Sequence, residues 1–91
     1  MIRIALADDQ TLFRKGLAIL LEEMPGVEVT LECAHGADLL KAIAVVPVDI
    51  VLLDLEMPVM DGKETMHRIR RDFKDLKVIV LSMHADERSI V

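Results

Sequence analysis

The stretch Asp49-Ile50-Val51-Leu52-Leu53-Asp54 continues through Leu55-Glu56-Met57-Pro58-Val59-Met60-Asp61-Gly62. Four consecutive large aliphatic residues bounded by acids suit a strand covered on both faces, as strands of a parallel sheet are. The Met57-Pro58 and Asp61-Gly62 pairs mark residues 56–62 as a loop. Upstream, residues 37–45 read as a short helix closed before Pro47, and Val27–Cys33 alternates apolar and polar residues as a half-exposed strand does. Further back, Ile2–Ala7 is an apolar run ending at Asp8 and Asp9. Residues 11–24 then carry Leu12, Phe13, Leu17, Leu20, Leu21 and Met24 at helical spacing until Pro25-Gly26.

Downstream the pattern repeats. A third helix places Thr65, Met66, Ile69 and Phe73 on one side, with Lys63, Arg68, Arg70 and Arg71 mostly on the other. Residues 78–81 read as another buried strand, ending at Ser82, and residues 86–91 begin a fourth helix with Asp86 near its N-cap. Strictly alternating strands and helices predict right-handed crossovers, hence a doubly wound parallel sheet with helices on both faces. There is no internal repeat, linker or low-complexity segment, so residues 1–91 are read as one module.

Composition narrows the class. The 91 residues are 53% hydrophobic and 30% charged, a globular balance, and two Phe with no Trp or Tyr leave the core to aliphatic side chains. Eleven Lys and Arg against sixteen Asp and Glu give a net charge of -5, which argues against nucleic-acid binding through the bulk field. Cys33 is the single cysteine, so there is no internal disulfide, as suits a reducing compartment. No apolar run approaches the ~20 residues of a membrane span, and the N-terminus lacks a signal-peptide pattern. The expectation is a soluble, cytoplasmic domain.

Parallel α/β sheets carry their sites beyond the carboxyl ends of the strands. Three strands here end in polar residues, at Asp8-Asp9, Asp54 and Ser82. Gathered at one edge, the three carboxylates repel one another unless a cation is present, and Mg²⁺ is the usual partner of such a set. The same set suits phosphoryl chemistry, with a carboxylate as nucleophile. Each residue also has a plainer reading: Asp8-Asp9 as a helix cap, Asp54 as a turn residue, and Ser82 as uninformative by itself. Their convergence on one edge favours the site.

These residues resemble the receiver domain of two-component response regulators. The resemblance runs nearly end to end and rests on Ala7-Asp8-Asp9, the aliphatic strand into Asp54, and the segment from Asp54 to Asp61-Gly62, whose Asp-x-x-Met-Pro-x-x-Asp-Gly pattern is highly specific. Leu81-Ser82-Met83-His84 is similar to the hydroxyl-bearing fourth strand of the NarL/FixJ-like (LuxR-type) subgroup, which usually carries a C-terminal helix-turn-helix domain. The resemblance implies a flavodoxin-like fold with strand order 2-1-3-4-5. It also implies Asp54 as phosphoacceptor from a sensor histidine kinase, and Mg²⁺ held by Asp8, Asp9, Asp54 and the Glu56 backbone carbonyl. Ser82 would hydrogen-bond the phosphoryl group and act in the switch, and the chain would be no turnover enzyme. Glu56 and His84 are expected at the mouth of the site, where they either pair across the entrance or stand solvated; Met83 either narrows access or only packs.

Against the family pattern the chain lacks a last βα unit, on the order of 30 residues. The family's fifth-strand Lys and aromatic switch residue go with it. The order becomes 2-1-3-4, which makes the fourth strand an unprotected apolar edge and uncovers apolar side chains of the first helix. The chain is therefore expected to be a fragment or to self-associate through those two surfaces, with DNA reached only through an output domain outside this sequence. Two other classes stay open: a haloacid-dehalogenase-like phosphatase, whose Asp-x-Asp signature is replaced here by Asp54-Leu55-Glu56, and a phosphorylation-independent interaction module. A flavodoxin-like nucleotide site is disfavoured because no Gly-rich loop follows the first strand.

Overall fold

Residues 1–54 and 62–81 are described by the structure, a computed structural model. Seven elements follow one another: β1 (Ile2–Ala7), α1 (Thr11–Glu22), β2 (Val27–Cys33), α2 (Gly36–Ile43), β3 (Ile50–Asp54), α3 (Gly62–Asp72) and β4 (Lys77–Leu81). All strand pairs are parallel and the order is β2-β1-β3-β4. This is the flavodoxin-like arrangement expected from the sequence. Glu56, Ser82, Met83, His84 and the helix expected from Asp86 lie outside the described residues.

Period-two alternation sorts the side chains onto two faces. Ala5, Ala7, Val51 and Leu53 point to one face, where Leu39 and Ile43 of α2 and Ile69 of α3 close over them. Ile4, Leu6 and Leu52 point to the other, against Ala18 with Leu17 and Leu21 of α1. The small Ala5 and Ala7 let α2 approach β1 closely, while Leu and Ile fill the α1 side. Gly26 closes the turn into β2 with φ +81, a left-handed conformation that side-chain-bearing residues rarely adopt, and its carbonyl accepts from Ile2 N at 2.7 Å.

As expected from the sequence, α1 leaves apolar side chains uncovered: Leu12, Ile19 and Leu20 are exposed, whereas Arg14 and Ala18 are buried. The last strand, β4, reads as buried from its local composition but is the apolar edge expected from the order 2-1-3-4. Ile79 and Val80 remain 50% and 40% exposed, because among the described residues β4 pairs only with β3 and lies at the sheet edge. The boundaries of α2 differ slightly, since Val45 and Val46 both donate to the Ala42 carbonyl and turn the chain before Pro47.

Candidate functional site

Sheet register builds the site. Ala7 lies opposite both Cys33 and Leu53, so the next residues along β1 and β3 are Asp8 and Asp54, side by side at the carboxyl edge. One ligand atom from each of Asp8, Asp9 and Asp54 can be chosen so that all three lie within 4.8 Å of one another. Asp8 and Asp54 are buried, at 2% and 1% exposure, whereas Asp9 faces solvent. Two buried carboxylates and one exposed one thus meet at that edge.

The hydrogen bonds around Asp8 show what that edge is built for. Its N–H donates to the Cys33 carbonyl at 3.0 Å, and its own carbonyl accepts from Arg14 Nη1 at 2.6 Å. Its Oδ1 accepts from the Gln10 N–H at 2.8 Å in an Asx turn. Its Oδ2 is buried with no hydrogen-bond partner. Buried polar atoms are almost always satisfied, and each exception asks for an explanation. A buried carboxylate oxygen without a donor, on a residue gathered with two further carboxylates, is the environment a hard divalent cation resolves; the donor set, all oxygen, fits Mg²⁺. The helix-cap reading of Asp8 does not hold, since the N-cap of α1 is Gln10 and makes no side-chain cap bond.

Arg14 was not among the residues the sequence singled out. Its guanidinium is nearly buried, the side chain 10% exposed, and besides Asp8 it donates from Nε to Glu32 Oε1 at 3.3 Å, an oxygen that Lys15 Nζ also approaches at 3.3 Å. The available signal was periodicity: residues 14, 17, 18 and 21 form one helical face, and Arg14 is the charged member of an otherwise apolar set. Removing it leaves a buried carbonyl unsatisfied, a cost of about 1–3 kcal/mol.

Two neighbouring features do not join this site. Cys33 is buried beside it, and burial, followed by the Asp38 carboxylate, pushes its thiol pKa up, so it stays protonated and unreactive near neutral pH. A cleft of about 500 Å³ bordered by Pro47, Phe73 and Leu76 lies at the opposite, amino end of the strands. Its Asp49 is committed to Arg3, which donates from its main-chain N–H at 2.8 Å and from Nε at 3.1 Å. No described helix is long and apolar enough to cross a membrane.

Comparison with known proteins gives a consistent result. The sequence model for the response regulator receiver domain matches residues 4–91. The chain is 38% identical over 90 residues to the transcriptional regulatory protein LiaR of Bacillus subtilis, covering 99% of this chain and 43% of LiaR. It is 37% identical over 86 residues to the response regulator UvrY of Escherichia coli, covering 94% of this chain and 39% of UvrY. The signal receiver domain of NarL from Mycobacterium tuberculosis superposes with a TM-score of 0.85 at 31% identity, over 98% of this chain and 72% of that one. The chain therefore spans about two fifths of the length of those two relatives.

Proposed function

Because this chain belongs to the response regulator receiver domain family, we propose that it is the phosphoacceptor of a two-component relay. Asp54 takes a phosphoryl group from a phosphohistidine on a sensor histidine kinase. What supports this reading is the clustering of Asp54 with Asp8 and Asp9 at the carboxyl edge, together with the unpartnered Oδ2 of Asp8.

In the transfer, an Asp54 carboxylate oxygen attacks phosphorus, the phosphorus–nitrogen bond breaks, and the electron pair returns to the departing imidazole. Asp8, Asp9, Asp54 and the Glu56 carbonyl are the residues that would hold Mg²⁺, which offsets carboxylate repulsion and the charge on the phosphoryl oxygens. Asp8 is held by its main chain and by the Gln10 N–H on Oδ1, while Oδ2 has no hydrogen-bond partner. The side chain of Ser82 would hydrogen-bond the transferred group. The chain spans about two fifths of the length of LiaR and UvrY, and LiaR is a transcriptional regulatory protein; on this reading the phosphoryl state would be read out by a DNA-binding domain of a cytoplasmic regulator. No turnover of a phosphomonoester belongs to this reading.

Leu12, Ile19 and Leu20 are 88%, 64% and 62% exposed, and Phe13 is 36% exposed. This apolar row favours a second role, assembly through α1 and the β4 edge, with or without phosphate. Intact mass after incubation with acetyl phosphate separates the two. The expected result is one phosphoryl adduct that requires Mg²⁺ and is absent from Asp54→Asn. A folded chain that never gains an adduct contradicts the phosphoacceptor role and leaves assembly as the function.

A further inference from the structure

We propose that Arg14 is a positioning residue for the cation site, fixing where the Asp8 carboxylate stands. The inference rests on reading Asp8, Asp9 and Asp54 as that site, and adds to it a residue on α1 that touches no cation. A guanidinium is ordinarily left in water with only its stem covered. Here the side chain is 10% exposed and its head is committed on two sides. Nη1 donates to the Asp8 carbonyl at 2.6 Å and Nε to Glu32 Oε1 at 3.3 Å.

The two acceptors belong to different strands. Asp8 follows β1, and Glu32 lies in β2 one residue before Cys33, whose carbonyl accepts the Asp8 N–H at 3.0 Å. The main chain of residue 8 is thus gripped from both ends by the same short part of β2, directly through Cys33 and through Arg14 by way of Glu32. The Arg14 N–H also donates to the Gln10 carbonyl at 2.9 Å, so the turn that supplies a donor to Asp8 Oδ1 is the first turn of the helix that carries the guanidinium. These bonds leave Asp8 Oδ2 as the polar atom of that residue with no partner. A site whose ligand is already ordered loses little freedom on binding, and supporting contacts of this kind typically change metal affinity by about 10–100-fold. A planar fork is needed because one head must meet a carbonyl and a carboxylate in fixed directions; a lysine ammonium offers no such geometry.

The test is Mn²⁺ binding to the 91-residue chain, followed by the electron paramagnetic resonance signal of free Mn²⁺. The variants are Arg14→Gln, Arg14→Lys and Glu32→Gln, with Arg3→Gln as a control that breaks an exposed ion pair at the other end of β1. Thermal unfolding of each variant checks the fold. The expected result is an affinity loss of about tenfold or more for Arg14→Gln, smaller losses for Arg14→Lys and Glu32→Gln, and none for Arg3→Gln. Should Arg14→Gln fail to fold, Arg14→Lys and Glu32→Gln carry the test, because both keep the apolar face of α1. Unchanged affinity in every folded variant of Arg14 and Glu32 overturns the positioning role. A loss of equal size in Arg3→Gln also overturns it, since general loosening then explains the effect. If the unaltered chain binds no Mn²⁺, the cation-site reading itself fails, an outcome distinct from a difference confined to the variants.

Discussion

The two faces of the sheet are finished to different degrees. On the α2/α3 face, Leu39, Val51, Leu53 and Ile69 are wholly excluded from solvent and two helices cover the strands. On the α1 face the buried cluster is smaller, and the helix that covers it carries exposed Leu12, Ile19 and Leu20 on its far side. One sequence thus builds a closed core on one side and, on the other, a helix that is apolar both toward the sheet and away from it. The difference separates two uses of apolar residues. Those at period-two positions of β1 and β3 hold the fold, while the outer row of α1 contributes nothing to this core and is available to another surface.

The largest effect that can break this comparison is a cavity. Leu53→Ala or Ile69→Ala should cost about 2–5 kcal/mol in denaturant unfolding, whereas Leu12→Ala should stay within about 0.5 kcal/mol. Comparable losses at Leu12 and Leu53 would mean that α1 is packed as tightly as α3. Next in size is assembly. The double change Leu12→Lys with Ile19→Lys is expected to lower the average mass in sedimentation velocity while leaving the unfolding midpoint nearly unchanged; the same mass in both forms would remove α1 as an assembly surface. A finer comparison uses Cys33, which packs on the closed face. Its thiol should react with a disulfide reagent only at the rate of global or local opening, so labelling of the native chain should be slow and should accelerate in Ile69→Ala. Rapid labelling of the unaltered chain would show that the closed face is loose.

The smallest expected effect lies at the amino end of the strands. The Arg3 hydrogen bonds hold the Asp49 carboxyl at about 2, below its ordinary 3.8. A carboxyl lowered on folding stabilises the native state above its unfolded value, so this contribution is present above about pH 4 and is lost as the pH falls toward 2. Asp49→Asn should flatten that part of the acid unfolding curve slightly, because both side chains are well exposed and such pairs contribute little. An acid limb that Asp49→Asn leaves unchanged would assign the acid sensitivity to other carboxyls.

Much of the fold was legible because its signals are local. The four aliphatics before Asp54 announce a covered strand, Pro25-Gly26 follows the end of α1, and β2 is half-buried along Val27–Leu31, as its mixed composition implies. Edges are not local: the run from Val78 to Leu81 reads like the run from Ile50 to Leu53, and only sheet order distinguishes an outer strand from an inner one. The gathering of Asp8, Asp9 and Asp54 was readable from strand ends, because parallel register brings such ends together. Arg14 was not readable in the same way. A basic residue in an amphipathic helix looks solvated until the Asp8 carbonyl and Glu32, from separate strands, are seen to meet it.

The central claim, that the three acids are one cation-dependent site, is tested most directly by the unfolding temperature with and without Mg²⁺ for the unaltered chain and for Asp8→Asn, a change that keeps the acceptor for the Gln10 N–H. Ligand linkage gives about 1.4 kcal/mol of stabilisation at ten times the dissociation constant. Mg²⁺ should raise the unfolding temperature of the unaltered chain, and Asp8→Asn should be as stable as, or more stable than, the unaltered chain without metal while losing most of the Mg²⁺ response. An equal response to Mg²⁺ in both, or none in either, would contradict that claim.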